Sequence, residues 1–139
     1  MNSFRNIFYL FVFITLITFV ACQPDDPTPN TGDIRDKLVS SWKCQENSAT
    51  YGTQNYYVEI TKDSIAGRII IDNFLNLGLG KSIKASVSGQ TITINNQMVD
   101  GNLFNGTGTV SANYNSISWS YTFDEGNGAE SVSAVYTKM

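Results

Sequence analysis

"SISWSYTF", residues 116–123, decides the fold. Ile117, Trp119, Tyr121 and Phe123 alternate with Ser116, Ser118, Ser120 and Thr122, so an extended chain here has one apolar face and one small, hydroxylated face. The same period of two continues outward in both directions. "SVSAVYTK" at 131–138 puts Val132, Ala134 and Tyr136 on one face. "IKASVS" at 83–88 and "TITI" at 91–94 do so with Ile83, Ala85, Val87 and with Ile92, Ile94, and "SGQ" at 88–90 supplies a hairpin turn between them. "NYYVEIT" and "SIAGRIIID" form another pair around "TKDS". Gly106 and Gly108, spaced by two in "LFNGTGTV", permit strong bending or the close approach of another backbone. No long helical period appears from residue 42 onward.

Strands are expected near 42–48, 54–61, 64–72, 82–88, 91–96, 103–111, 116–123 and 130–138. Their short connections imply antiparallel neighbours. The expected fold is therefore all-β, an antiparallel up-and-down barrel of about eight strands with a short N-terminal helix. Two segments leave the strand pattern. "DIRDKLVSS" at 33–41 predicts a short helix or 3₁₀ turn capping one end, and "NFLNLGLG" at 73–80 predicts a loop or single helical turn. Phe74, Leu75, Leu77 and Leu79 make that second segment apolar for a loop, so they are expected to plug or cover the sheet.

Before the barrel, Arg5 precedes an apolar, Thr-containing run from Ile7 to Val20, which predicts a signal peptide over 1–21. The run is shorter than the roughly 20 residues a membrane-spanning helix requires. Cys22 follows Ala21 in "FVAC", which resembles the lipobox of bacterial lipoproteins, with Phe19 where leucine is usual. That resemblance implies a diacylglycerol on the Cys22 thiol and acylation of the freed amine. Several acyl chains anchor firmly because each buried methylene contributes about 0.8 kcal/mol. "QPDDPTPNTGD" then has three prolines and three aspartates before Ile34, too polar to pack. It reads as a flexible tether over 22–32, ahead of a single domain at 33–139. Asp25 and Asp26 resemble the signal that exports lipoproteins to the outer face of the outer membrane in Bacteroidota, which implies a lipid-anchored, surface-exposed protein.

Composition narrows the chemistry. The formal charge of −3 becomes −4 when Arg5 is lost with the leader, and no dense basic stretch exists, so nucleic acid is excluded as a partner. With Cys22 lipidated, Cys44 has no disulfide partner. The chain contains no histidine, which removes the commonest general base, the usual zinc ligand and every His-dependent triad. "FDEGNGAE" brings Asp124, Glu125 and Glu130 to one hairpin; a carboxylate pair serves glycoside cleavage, but a solvated acidic turn is the simpler reading, and the spacing does not match an EF-hand. No catalytic residue, metal ligand or cofactor is assigned. "DSI" at 63–65 resembles the Asp-Ser/Thr-aliphatic sequence that carries O-glycans in Bacteroidota, with Ser64 as acceptor in a turn.

A short helix leading into "LVSSW", followed by about eight up-and-down strands ending in "AVYTKM", resembles the lipocalin-like domains of small Bacteroidota outer-membrane lipoproteins. Trp42 holds the tryptophan of the lipocalin Gly-x-Trp pattern, Ser40 stands in place of its glycine, and the last strand offers Lys138 rather than an arginine to cross the tryptophan ring. The resemblance implies a pocket at the open end for small, mostly apolar ligands. About eight strands enclose either packed side chains or one small ligand. Aromatics are the candidate contact groups: Trp42, Trp119 and Phe123 read as core, while Tyr57, Tyr121 and Tyr136, whose hydroxyls need partners, are the candidate ligand-binding residues at a cavity rim. The expected function is a non-catalytic surface lipoprotein binding a small apolar ligand or glycan. The alternative is a protein-interaction module, an accessory subunit of an outer-membrane complex or an inhibitor-like barrel.

Overall fold

Period-two alternation in the sequence becomes the inside and outside of a closed barrel. The computed structural model describes residues 32–139; the expected signal peptide 1–21, Cys22 and nearly all of the tether lie outside the described residues. Eight strands follow one another: β1 (Ser40–Ser48), β2 (Gly52–Lys62), β3 (Arg68–Asp72), β4 (Ser82–Ser88), β5 (Thr91–Val99), β6 (Asn102–Val110), β7 (Ser116–Asp124) and β8 (Glu130–Lys138). Each pairs antiparallel with the next, and β8 returns to β1 through Cys44 opposite Tyr136 and Glu46 opposite Ala134. Closure gives every strand two neighbours, so the barrel has no edge strand.

The inward residues fill the barrel with Trp42, Cys44, Tyr56, Val58, Ile60, Ile69, Ile71, Ile83, Ile92, Ile94, Phe104, Ile117, Trp119, Tyr121, Phe123 and Tyr136. The two glycines of β6 make room for the largest of these. Gly106 lies opposite Tyr121 and Gly108 opposite Trp119. A Cβ added at Gly106 would sit 2.2 Å from Tyr121 Cβ, and one at Gly108 would sit 2.9 Å from the Trp119 ring. The close approach expected from these glycines is thus to the neighbouring strand. A register shift between Ile94 and Gln97 bends β5 against β6 at the same level.

One end of the barrel has a floor. A 3₁₀ turn at Ile34–Lys37, where a helix or 3₁₀ turn was expected, starts at Asp33, whose carboxylate accepts from Arg35 N at 3.0 Å. Leu38 is fully buried, and its carbonyl accepts from Trp42 Nε1 at 2.9 Å. Arg35 Nη1 donates to the carbonyls of Asp63, Ile65 and Arg68. Lys138 Nζ donates to the Lys37 carbonyl at 2.6 Å and lies 5.7 Å from the Trp42 ring centroid. The floor is therefore tied to both chain-terminal strands.

The opposite end is plugged. A 3₁₀ turn at Phe74–Asn76 between β3 and β4 buries Phe74 and Leu75, as expected for that apolar segment, and Leu77 packs partly against the core. Leu79 departs from the expectation: it is 87% exposed, because Gly78 and Gly80, both at positive φ, turn the chain outward around it. The expected third strand over 64–72 begins only at Arg68. Asp63 holds the preceding residues in a turn, donating from its N–H to the Arg68 carbonyl and accepting from the Arg68 guanidinium at 2.5 Å.

Candidate functional site

Within this apolar interior lies one acid. β1 places Trp42, Cys44 and Glu46 inward and Lys43, Gln45 and Asn47 outward, so Glu46 shares the phase of the core and is 0% exposed. Tyr56 of β2 donates its hydroxyl to Glu46 Oε2 at 2.6 Å, and Tyr121 of β7 donates to the same oxygen. Glu46 Oε1 has no hydrogen-bond partner among the described residues, nor do Trp119 Nε1 or the Tyr136 hydroxyl, all three being buried. Removal from water pushes the Glu46 carboxyl above its ordinary range, while the Tyr121 and Tyr56 hydroxyls pull the other way. Burial also raises Tyr56, Tyr121 and Tyr136, and lifts the Cys44 thiol to about 12, leaving it a neutral, inert group.

Glu46, Ala134 and Trp119 occupy one row across β1, β8 and β7. The small Ala134 lies between Glu46 and Trp119 in that row. Above them sits Phe74, its ring 4.7 Å from Tyr121, 5.6 Å from Phe104 and 5.8 Å from Trp119. Tyr121 therefore connects the plug to the acid, ring to ring on one side and hydroxyl to carboxylate on the other. Polar ties fasten the plug to β2: Asn73 Nδ2 donates to the Tyr57 carbonyl at 2.7 Å, and Asn76 Nδ2 to Gln54 Oε1 at 3.0 Å. Its backbone is unusual, with Asn73, Leu75 and Asn76 all left-handed at φ of 61°, 54° and 55°. For Leu75 that conformation costs on the order of 1 kcal/mol. Beside the plug a depression of about 350 Å³ is lined by Tyr51, Gln54, Leu75, Asn76 and Leu77. Gln54 is the sheet partner of Glu46.

The three tyrosines expected at a rim separate. Tyr121 and Tyr136 face the interior, whereas Tyr57 stands on the outer face at 58% exposure. The phase of β2 is set by Val58 and Ile60, so Tyr56, not Tyr57, joins the interior group. Tyr56 counts among the strand aromatics in the sequence, but Tyr57 was preferred to it; Glu46 was missed although the signal was present, since continuing the inward phase of Trp42 and Cys44 by two residues reaches it. The acidic hairpin is structural. Glu130 accepts from the Thr50 hydroxyl and from the Thr50 and Ala49 N–H groups, which hold its carboxyl below the usual range, and Asp124 accepts from Gly126 N and Gly128 N. Ser64 is exposed in the β2–β3 turn and donates to Asp63 Oδ1 at 3.2 Å. No group of three or more Cys, Asp or Glu among the described residues is disposed to hold a metal ion.

No protein-family model matches the chain, and no curated protein does. Solved structures with the same architecture do exist. A redesigned β-barrel, b11L5F_LGL, superposes at TM-score 0.55 with 10% identity, covering 78% of this chain and 97% of its own. Two further designed barrels solved with DFHBI bound, EF1p2_mFAP2b and mFAP1, give TM-scores of 0.54 and 0.53 at 13% and 15% identity. These cover 77% of this chain and 98% and 100% of their own. At such identities the likeness concerns the fold: the chain is a closed, eight-stranded antiparallel β-barrel.

Proposed function

We propose that this protein is a non-catalytic, lipid-anchored lipoprotein of the outer membrane, surface-exposed, whose lipocalin-like barrel binds a small, largely apolar ligand at its plugged end. One observation carries the reading. Three buried polar atoms without partners, Glu46 Oε1, Trp119 Nε1 and Tyr136 Oη, lie in an interior otherwise made of apolar and aromatic surface. Buried polar groups are rarely left unpaired, since each costs about 1–3 kcal/mol. A ligand that brings matching donors and acceptors removes that cost, and an aromatic interior favours an apolar body over a glycan. Lys138 over the Trp42 ring, where the lipocalin resemblance places an arginine, supports the family reading. Among the described residues Glu46 is the one carboxylate at 0% exposure, and with no histidine in the chain this supports the absence of catalysis.

Cys22, in the lipobox-like "FVAC", is the proposed lipid attachment, and Ser64 the proposed O-glycan acceptor. Intact mass of protein from the native host tests both: acyl and glycan increments are expected, and the bare mature mass would refute them. Native mass spectrometry of the same material, compared with a denatured control, tests ligand binding. A small-molecule mass lost on denaturation is the expected result, and a bare protein would oppose it. The protein-interaction reading is favoured by a different feature. Met98 and Leu103 are paired across β5 and β6 on the outer face, both exposed, and recovery of a stoichiometric protein partner in detergent would support it.

A further inference from the structure

Glu46, the most deeply buried carboxylate of the described residues, has no cation beside it. The ion pairs of the described residues join Asp33, Asp36, Asp63 and Asp100 to arginine or lysine, whereas Glu46 meets only two phenol hydroxyls, both on Oε2. The buried residues include no lysine or arginine. Oε1 is thus a buried acceptor with nothing to accept from among the described residues. A neutral donor gains an ordinary hydrogen bond there, but a cationic donor gains a charge-assisted one about twice as strong. A ligand carboxylate placed beside Glu46 would be repelled. The walls suit a cation too, because the rings of Phe104, Trp119 and Tyr121 present π faces and edges around the position that Phe74 fills. Phe74 enters from a loop rather than a strand, so a group of similar size replaces it without breaking the sheet.

We propose that the barrel takes a small primary amine, its ammonium donating to Glu46 Oε1 and its aryl or alkyl body replacing Phe74 against Phe104, Trp119 and Tyr121. This rests on the small-ligand reading above and names the ligand's chemical class. Trp119 Nε1, a donor without an acceptor, accommodates a carbonyl or hydroxyl oxygen on that body.

Three probes share one aryl body and differ in the head: 2-phenylethylamine, 2-phenylethanol and phenylacetate. Each is titrated into the purified whole chain near neutral pH, followed by calorimetry and by tryptophan emission. The amine is expected to bind about tenfold or more tightly than the alcohol, and phenylacetate more weakly than either. Glu46→Gln is expected to bring the amine within about threefold of the alcohol. Should that variant fold poorly, the wild-type series decides alone. Equal affinity of amine and alcohol would end the amine assignment and leave a small-ligand barrel standing. Failure of all three probes also ends the amine assignment, and if native mass spectrometry shows a bare protein as well, the small-ligand reading falls with it.

Discussion

Glu46 shows how a single residue is read correctly in phase and wrongly in meaning. Its position, two residues beyond Cys44, places it inside as soon as β1 is extended. A charged side chain on a strand nevertheless reads as solvated, because the partners that make its burial tolerable, Tyr56 and Tyr121, come from β2 and β7. The tyrosines make a direct test. Tyr56→Phe leaves Glu46 with one fewer donor and is expected to lower unfolding free energy by about 1–3 kcal/mol. Tyr136→Phe removes a hydroxyl without a partner and is expected to be neutral or stabilising by up to about 1 kcal/mol. Urea titrations with the opposite ranking would mean that the Tyr136 hydroxyl is satisfied in solution. Gly106 offers a second test. An alanine there overlaps Tyr121 Cβ and the Tyr121 backbone, neither of which moves without parting β6 from β7. Gly106→Ala is expected to cost about 3 kcal/mol, the upper part of the usual range for overpacking, and an unchanged urea midpoint would contradict the close approach.

Among the elements, the strands were legible and the plug only partly so. "SISWSYTF" and "SVSAVYTK" lie within β7 and β8 because alternation of this strength has one solution when a face must be buried. "NFLNLGLG" has no such period, and its apolar content showed that something would be covered without showing what by which residue. The structure divides it: Phe74 and Leu75 enter the barrel, while Leu79 stays in water. Phe74→Ala is expected to cost about 3 kcal/mol, at the low end for a buried phenylalanine because the site is at a barrel end. It should also increase the fluorescence of an added apolar dye. Leu79→Ser is expected to stay within about 0.5 kcal/mol of wild type. A Phe74→Ala barrel as stable as wild type and no more accessible to dye would show that the plug does not govern the mouth.

For the whole molecule, opposing titrations set the pH dependence of stability. Asp33, Asp63 and Glu130 have lowered carboxyl pKa values, held down by Arg35, Arg68 and Thr50 respectively, so their contributions are present above the ordinary carboxylate range and lost as pH falls through the lowered values. Glu46 acts in the opposite sense. Its folded-state pKa lies above the ordinary 4.5, so its neutral form contributes fully below 4.5 and that contribution is lost as pH rises through the raised value. Melting curves taken from about pH 4 to about pH 8 should therefore show Glu46→Gln gaining on wild type as pH rises. Parallel curves would mean that Glu46 carries its charge without cost. The sequence by itself determined the strand periodicity, the hairpin order and the two interrupting segments, because each follows from contacts between residues close in the chain and from the need to bury one face. Closure of β8 onto β1, the pairing of glycine with aromatic across β6 and β7, and the isolation of Glu46 among phenols were decided only by tertiary structure. They depend on register between distant strands, and burial of a polar atom is a property of everything that surrounds it.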